Sequence, residues 1–358
     1  MKTDVVIVGA GFAGASTAFH LSRSFSGSVL IVEKETVPGF HASGRNASLV
    51  LQSTLNPDLR QVLSKSCQAY VKHQELIGFN QQGSILLGGK KLLKSLEDPN
   101  LIPSEYIDVD KVLSQIPLLR GHRFEAALWT PSDGIMDISA LLQFYLSQAQ
   151  SRSAKLWLDC SLLKISGTGP YQLQTTQGTI ETRYLINAAG AWAGEIARLA
   201  KASVVPLASF KRHLFVLGGI TPIELHWPFV WNQDKNFYFR PESGDLLFSL
   251  CDEEQSTHFE TSVSTNISQS LAELVWLELP TLREATQKKV WSCFRTKTPD
   301  GSFVIGWDSV AKSFFWVAGL GGHGMGASWQ IGKLASEYFL NSTADTEHPF
   351  IPDRFENK

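Results

Sequence analysis

The chain has 358 residues, with 32 Lys and Arg against 34 Asp and Glu; this is enough for about two domains and a large core, and the near-neutral balance supplies no field to recruit nucleic acid. Cys67, Cys160, Cys251 and Cys293 are scattered without a CxxC, which fits neither a disulfide framework nor a zinc site and matches a reducing cytosol. The first apolar strand starts at residue 4 and no later apolar run has the length of a bilayer span, so the expectation is a cytoplasmic protein, free or peripheral to a membrane, whose partner is a small molecule.

The stretch DVVIVGAGFAGASTAFHLSR begins with a buried apolar run, Val5 to Val8, that meets Gly9, Gly11 and Gly14 and passes into a helical pattern. Gly9 permits a tight turn, Gly11 lets a pyrophosphate approach the backbone, and Gly14 lets helix and strand pack closely. The helix N-terminus, opened by Phe12 and Ala13, offers N–H groups and partial positive charge. The following run SVLIVEKE closes on Glu33, placed to accept hydrogen bonds from ribose hydroxyls and to repel a 2′-phosphate. The unit predicts an adenine dinucleotide site without separating NAD from FAD.

The loop VPGFHASGRNAS, carrying His41, Ser43, Gly44, Arg45 and Asn46, is expected to wrap the cofactor, with Arg45 and backbone N–H groups toward phosphate or ring oxygens. A weakly helical stretch (59–76), a strand SILLGG and a helix entered at Asp137 or Ser139 follow, and residues 154–187 read as several short strands. In YLINAAGAWAGEIARLA a strand enters the small residues Ala188, Ala189 and Gly190, then a helix with Trp192, Ile196 and Leu199 on one face. Residues 205–290 turn strand-rich and aromatic, a natural wall for a substrate pocket. Trp227, Trp231, Phe237, Tyr238 and Phe239 read individually as core, whereas Arg212 and Arg240 alternate with apolar residues and require solvent or a polar pocket. Finally FFWVAGLGGHGMG gives a strand and a second glycine loop before a helix. This second anion site suits a flavin, whose reduced ring is negative around N1 and the C2 carbonyl, and tips the reading from NAD to FAD.

In order, VVIVGAGFAGAS, LIVEKE, PGFHASGRNAS, LINAAGAWA, FRTKTPDGSFVIG and WVAGLGGHGMG resemble the D-amino-acid oxidase family of FAD-dependent oxidoreductases, the group of glycine oxidase, sarcosine oxidase and D-amino-acid dehydrogenases. GFHASGR, FKRHLF and WPFVWNQDKNFYFRPESG look most like its D-arginine dehydrogenases, while residues 50–125 match poorly. The resemblance implies an α/β fold: a Rossmann-like FAD-binding domain from residues 1–80, 136–205 and 291–358, and an inserted antiparallel-sheet substrate domain from 81–135 and 206–290. It implies oxidation of a substrate C–N bond by hydride transfer to flavin N5, an imine that water hydrolyses to a keto acid, reoxidation by O2 or a quinone, and no metal.

Carried onto this sequence, Arg295 would grip the substrate carboxylate in a bidentate pair, with Tyr238 and Arg212 completing the site. His41 would sit near the flavin and His323 near the ring or substrate. Lys34, Leu162, Ala189, Gly190 and Trp192 would join the motif residues around FAD, with Gly321, Gly322, Gly324 and Met325 from the second glycine loop. Cys293 stands where sarcosine oxidases attach flavin covalently, so covalent FAD or a plain buried thiol are both implied. Ser84 stands nearest to the acid that meets the basic side chain in arginine-specific relatives, which counts against basic substrates. The alternatives are an FAD-dependent 2-hydroxy-acid dehydrogenase, needing a base such as His41 or His323, and a low-turnover flavoprotein acting as an assembly partner.

Overall fold

A computed structural model describes residues 1–220, 223–257, 259, 262–341 and 348–355. Strand Lys2–Val8 sends Val5 and Ile7 to one face of a sheet and Val6 and Val8 to the other, and both faces are buried. Side chains alternate along a strand, so a run without polar residues must be covered on both sides. Helices Phe12–Leu21, Ile138–Gln150 and Ser328–Leu340 cover the first face and helix Ala193–Ala200 the second. The parallel centre runs Phe314–Ala318, Gly178–Asn187, Lys2–Val8, Val29–Val32, Lys155–Trp157 in spatial order. Antiparallel strands Leu162–Ser166 and Tyr171–Thr175 extend it beside the first half of Gly178–Asn187. This is a Rossmann-type dinucleotide sheet within a mixed α/β fold.

A second, nine-stranded sheet draws its strands from residues 84–130 and 208–297. Residues 291–297, grouped from the sequence with the last nucleotide-binding segment, are the second half of strand Thr286–Lys297, which pairs along strand Ala208–Gly218. Phe215, Phe237, Phe239 and Phe248 fill the outer face beneath helices Val109–Gln115 and Ile267–Glu278. The alternate positions Arg212, Leu214, Trp231, Tyr238 and Arg295 face a cavity shared with the glycine loops of the first sheet. Period-two alternation therefore divides one aromatic-rich sheet into a core side and a site side.

Local structure refines several expectations. The stretch 59–76 is two helices, Pro57–Lys72 and Gln74–Ile77, separated at His73, and Asn56 caps the first by accepting from the Asp58 and Leu59 N–H groups at 3.0 and 3.3 Å. Asp137, rather than Ser139, caps Ile138–Gln150 through the Ala140 N–H at 2.9 Å. Trp192 lies in a 3-10 turn ahead of helix Ala193–Ala200 and lines the cavity, outside the buried cluster that includes Ile196. Arg240 is buried on the sheet, donating from Nε to the Ala47 carbonyl at 2.7 Å and pairing with Glu242 at 2.5 Å. Among the described residues no helix is long and apolar enough to cross a membrane.

Candidate active site

A cavity of about 930 Å³ runs from the first glycine turn to the inner face of the second sheet, within the size range of small-molecule sites. At its nucleotide end Gly9 has φ +104°, and a Cβ there would lie 2.6 Å from the Ala188 carbonyl oxygen. A Cβ on Gly14 would lie 1.9 Å from the Gly9 oxygen, so Gly14 serves the close packing of helix on strand and does not itself line the cavity. Gly11, Phe12 and Ala13 do line it. Ser43 Oγ accepts from the Phe12 N–H at 3.0 Å, tying the 39–47 loop to the helix N-terminus. Glu33 closes this end, its carboxylate fixed by the N–H groups of Ala10 at 2.8 Å and Glu35 at 3.1 Å.

Lys34, Asn46, Leu162, Ala189, Gly190 and Trp192 line the same wall. Lys34 Nζ stands 3.3 Å from the centre of the Trp192 ring, a cation–π contact. His41 packs on the other rings of this group, 4.5 Å from Trp192, and its Nε2 meets Glu35 Oε1 at 2.7 Å. Burial lowers its pKa against the pull of Glu35, so the ring is neutral at pH 7, Nε2–H donates, and Nδ1 has no partner among the described residues. His41 thus sits in the wall that Trp192 and Glu35 form. Gly44 and Arg45 do not line the cavity: Gly44 closes the loop onto the Gly39 carbonyl at 2.6 Å, and Arg45 Nε donates to the Phe40 carbonyl at 3.1 Å.

The far end is built on the second sheet. Arg295 and Cys293 alternate on strand Thr286–Lys297, and Cys293 sits opposite Arg212 on strand Ala208–Gly218. Arg295 makes no hydrogen bond or ion pair among the described residues, and its Nε would lie 2.9 Å from a Cβ on Gly322, so the missing side chain there gives the guanidinium its room. Arg212 Nη1, Tyr238 Oη and Trp231 Nε1 are buried without a partner among the described residues. Four donor groups without acceptors around one cavity are costly unless a ligand supplies the acceptor. Burial pushes the Tyr238 phenol up, opposed by Arg295 and Arg212, and likewise the Cys293 thiol, so both keep their protons.

The second glycine loop faces these donors, with Gly321, Gly322, His323, Gly324 and Met325 all on the cavity. The N–H groups of Gly324 and Met325 have no acceptor among the described residues. Enclosure, then the charges of Arg295 and Lys297, lower the His323 pKa to about 4, so its imidazole is neutral at pH 7. Trp231, Lys297 and Glu253 are site residues that the motifs did not single out. Lys297 was legible as the residue two beyond Arg295 on the same strand face, whereas nothing in the local sequence brings Glu253 there. Ser84 does not line the cavity; its Oγ donates to Asp133 Oδ2 at 2.6 Å.

A family profile described as FAD dependent oxidoreductase (DAO) matches residues 4–338. Mitochondrial dimethylglycine dehydrogenase of Mus musculus is 24% identical over 98% of this chain and 43% of its own length. The mitochondrial pyruvate dehydrogenase phosphatase regulatory subunit of Mus musculus is 24% identical over 95% of this chain and 41% of its own. The chain therefore spans about two fifths of the length of these relatives. Among solved structures, L-proline dehydrogenase from P. horikoshii superposes with a TM-score of 0.89 at 21% identity, covering 99% of this chain and 98% of the other; at that identity the likeness is one of fold.

Proposed function

Because this chain belongs to the FAD dependent oxidoreductase family, we propose that it oxidises the C–N bond of a small amine bearing a carboxylate, a D-amino acid or an N-substituted amino acid, to an imine that water hydrolyses to a keto acid. The observation that carries this reading is the set of unsatisfied donors, Arg295, Arg212 Nη1, Tyr238 Oη and Trp231 Nε1, on the same cavity as the two glycine loops. The cavity suits FAD: backbone at Gly9 and Gly11 lies where side chains would clash, the Glu33 carboxylate lines it beside the first glycine turn and would accept from ribose hydroxyls, and the second loop offers N–H groups without acceptors among the described residues to an anionic ring edge. Bound FAD supplies a two-electron acceptor for hydride.

The protein's own part is orientation. Arg295 offers a planar fork for a bidentate carboxylate pair, and Tyr238 and Arg212 Nη1 add donors from neighbouring strands. Holding the carboxylate fixes which face of the adjacent carbon meets the cofactor, and alignment of this kind is a large part of the rate in such reactions. The positive groups of this wall also disfavour a protonated amine beside them. Oxidation of a free amine requires no protein base. A 2-hydroxy acid would need one, and neither candidate suits: His323, with a pKa of about 4, is a weak base, and His41 has its pKa lowered by burial and holds Glu35 through Nε2. These observations support the amine over the hydroxy acid.

The visible spectrum of the FAD-loaded protein, during anaerobic addition of D- and L-amino acids, N-methyl amino acids and 2-hydroxy acids, tests the reading. Bleaching of the flavin band near about 450 nm by an amine-bearing acid is the expected result, and air or a quinone added afterwards identifies the acceptor. Reduction by 2-hydroxy acids alone would overturn it. A yellow protein that none of them reduces would favour the assembly-partner reading, which the likeness to a phosphatase regulatory subunit supports. Acid precipitation settles the Cys293 question: colour in the supernatant means non-covalent FAD, the form expected for a protonated, buried thiol.

A further inference from the structure

Arg212 is 4% exposed, and each nitrogen of its guanidinium has a distinct environment. Nε donates to the Asp252 carbonyl at 2.9 Å, Nη2 to Glu253 Oε1 at 2.8 Å, and Nη1 is buried with no partner among the described residues. A guanidinium is planar, so fixing two nitrogens fixes the direction of the third. Two consecutive residues of one loop therefore decide where the open donor points. The loop is itself anchored: the Asp252 carboxylate accepts from the His213 N–H at 3.0 Å and meets His213 Nδ1 at 2.7 Å, and Glu253 Oε1 accepts from Lys297 Nζ as well as from Arg212. Glu253 lines the cavity with Arg212, Arg295 and Lys297.

We propose that Glu253 is a positioning residue, one that aims Arg212 Nη1 into the carboxylate site. The inference rests on the reading of that site as a grip for a substrate carboxylate. A second role for Glu253 has the opposite sign: a carboxylate near the place of the substrate carboxylate repels it, and its removal on that ground alone would tighten binding. Positioning dominates here because Glu253 already shares its charge between Arg212 and Lys297, and because a buried arginine without its partner is free to turn away.

Acetate, a bare carboxylate, separates the roles when titrated into the FAD-loaded protein and followed by flavin absorbance and tryptophan fluorescence. Glu253→Ala is expected to weaken acetate about tenfold, the range of one charged hydrogen bond. Glu253→Gln, whose amide oxygen still accepts from Nη2, is expected to stay within about threefold of the parent protein. In an Arg212→Ala background Glu253→Ala is expected to add nothing, because it acts through Arg212. Equal tightening by the Ala and Gln variants, an unchanged affinity in Glu253→Ala, or a full effect without Arg212 would each overturn the proposal. Arg295→Met tests the underlying reading separately: if it binds acetate like the parent, the carboxylate site itself is misassigned, whatever Glu253 does. FAD stoichiometry and circular dichroism of each variant guard against misfolding.

Discussion

Asp133 has no exposed surface, yet its carboxylate collects three donors: the Gln52 N–H at 3.1 Å and Nε2 at 2.9 Å on one oxygen, and Ser84 Oγ at 2.6 Å on the other. Burial outweighs them and pushes its pKa up to about 7. The unfolded chain releases this proton near the ordinary carboxylate value while the folded chain holds it, so stability falls as pH rises from about 4 to about 7. Asp133→Asn removes that slope: urea denaturation is expected to show a gain at pH 8 of at most about 4 kcal/mol and none at pH 4, and a pH-independent difference would refute it. The sequence showed Ser84 without an acid beside it; the acid behind it comes from 49 residues away through strand pairing of Ser84 with Thr130. At the site, Arg295→Met is expected to lower kcat/KM by about 100-fold or more while FAD content holds, since it removes a charged bidentate contact. Loss of FAD in that variant would instead assign Arg295 to the cofactor.

Helices Phe12–Leu21 and Ser328–Leu340 pack against each other with glycine at the closest point, where a Cβ on Gly332 would lie 2.4 Å from the Ser16 backbone. Along this contact His20 is edge-on to Trp329 at 5.5 Å, and its Nε2 has no partner among the described residues. Burial first, then Arg23 and Lys333, lower its pKa to about 4. The unfolded imidazole takes its proton near pH 6.5 and the folded one does not, so stability is lost as pH falls from about 6.5 to about 4. His20→Phe is expected to flatten that limb by on the order of 2 kcal/mol, allowing for solvent screening, with melting temperature against pH as the measure. Element identity was readable from apolar period and caps, as with Asp137. The place of Trp192 was not, because a 3-10 turn before the helix sets it on the cavity, outside the buried cluster that includes Ile196.

Across the whole molecule the 39–47 loop is tied to the second sheet by a buried donor, Arg240 Nε to the Ala47 carbonyl at 2.7 Å, and a half-buried one, Trp291 Nε1 to the Arg45 carbonyl at 3.0 Å. Arg240→Met leaves the Ala47 carbonyl without its donor, and we expect FAD to bind about tenfold more weakly, measured by flavin fluorescence on titration; unchanged affinity would mean the loop is held well enough without it. The sequence by itself determined the dinucleotide unit, because Gly9, Gly11, Gly14 and Glu33 act within one strand–turn–helix–strand stretch whose geometry is local. It also marked residues 205–290 as a strand-rich, aromatic wall, but read Trp231 and Tyr238 as core, and strand pairing put them on the cavity side. Only the tertiary structure decided that Trp231, Tyr238, Arg212 and Arg295 share one cavity, that Glu253 pairs with Arg212, and that His41 pairs with Glu35. Those relations depend on which strands pair and on how loops cross between two sheets, and contacts made by residues far apart in the chain leave no trace in local periodicity or spacing.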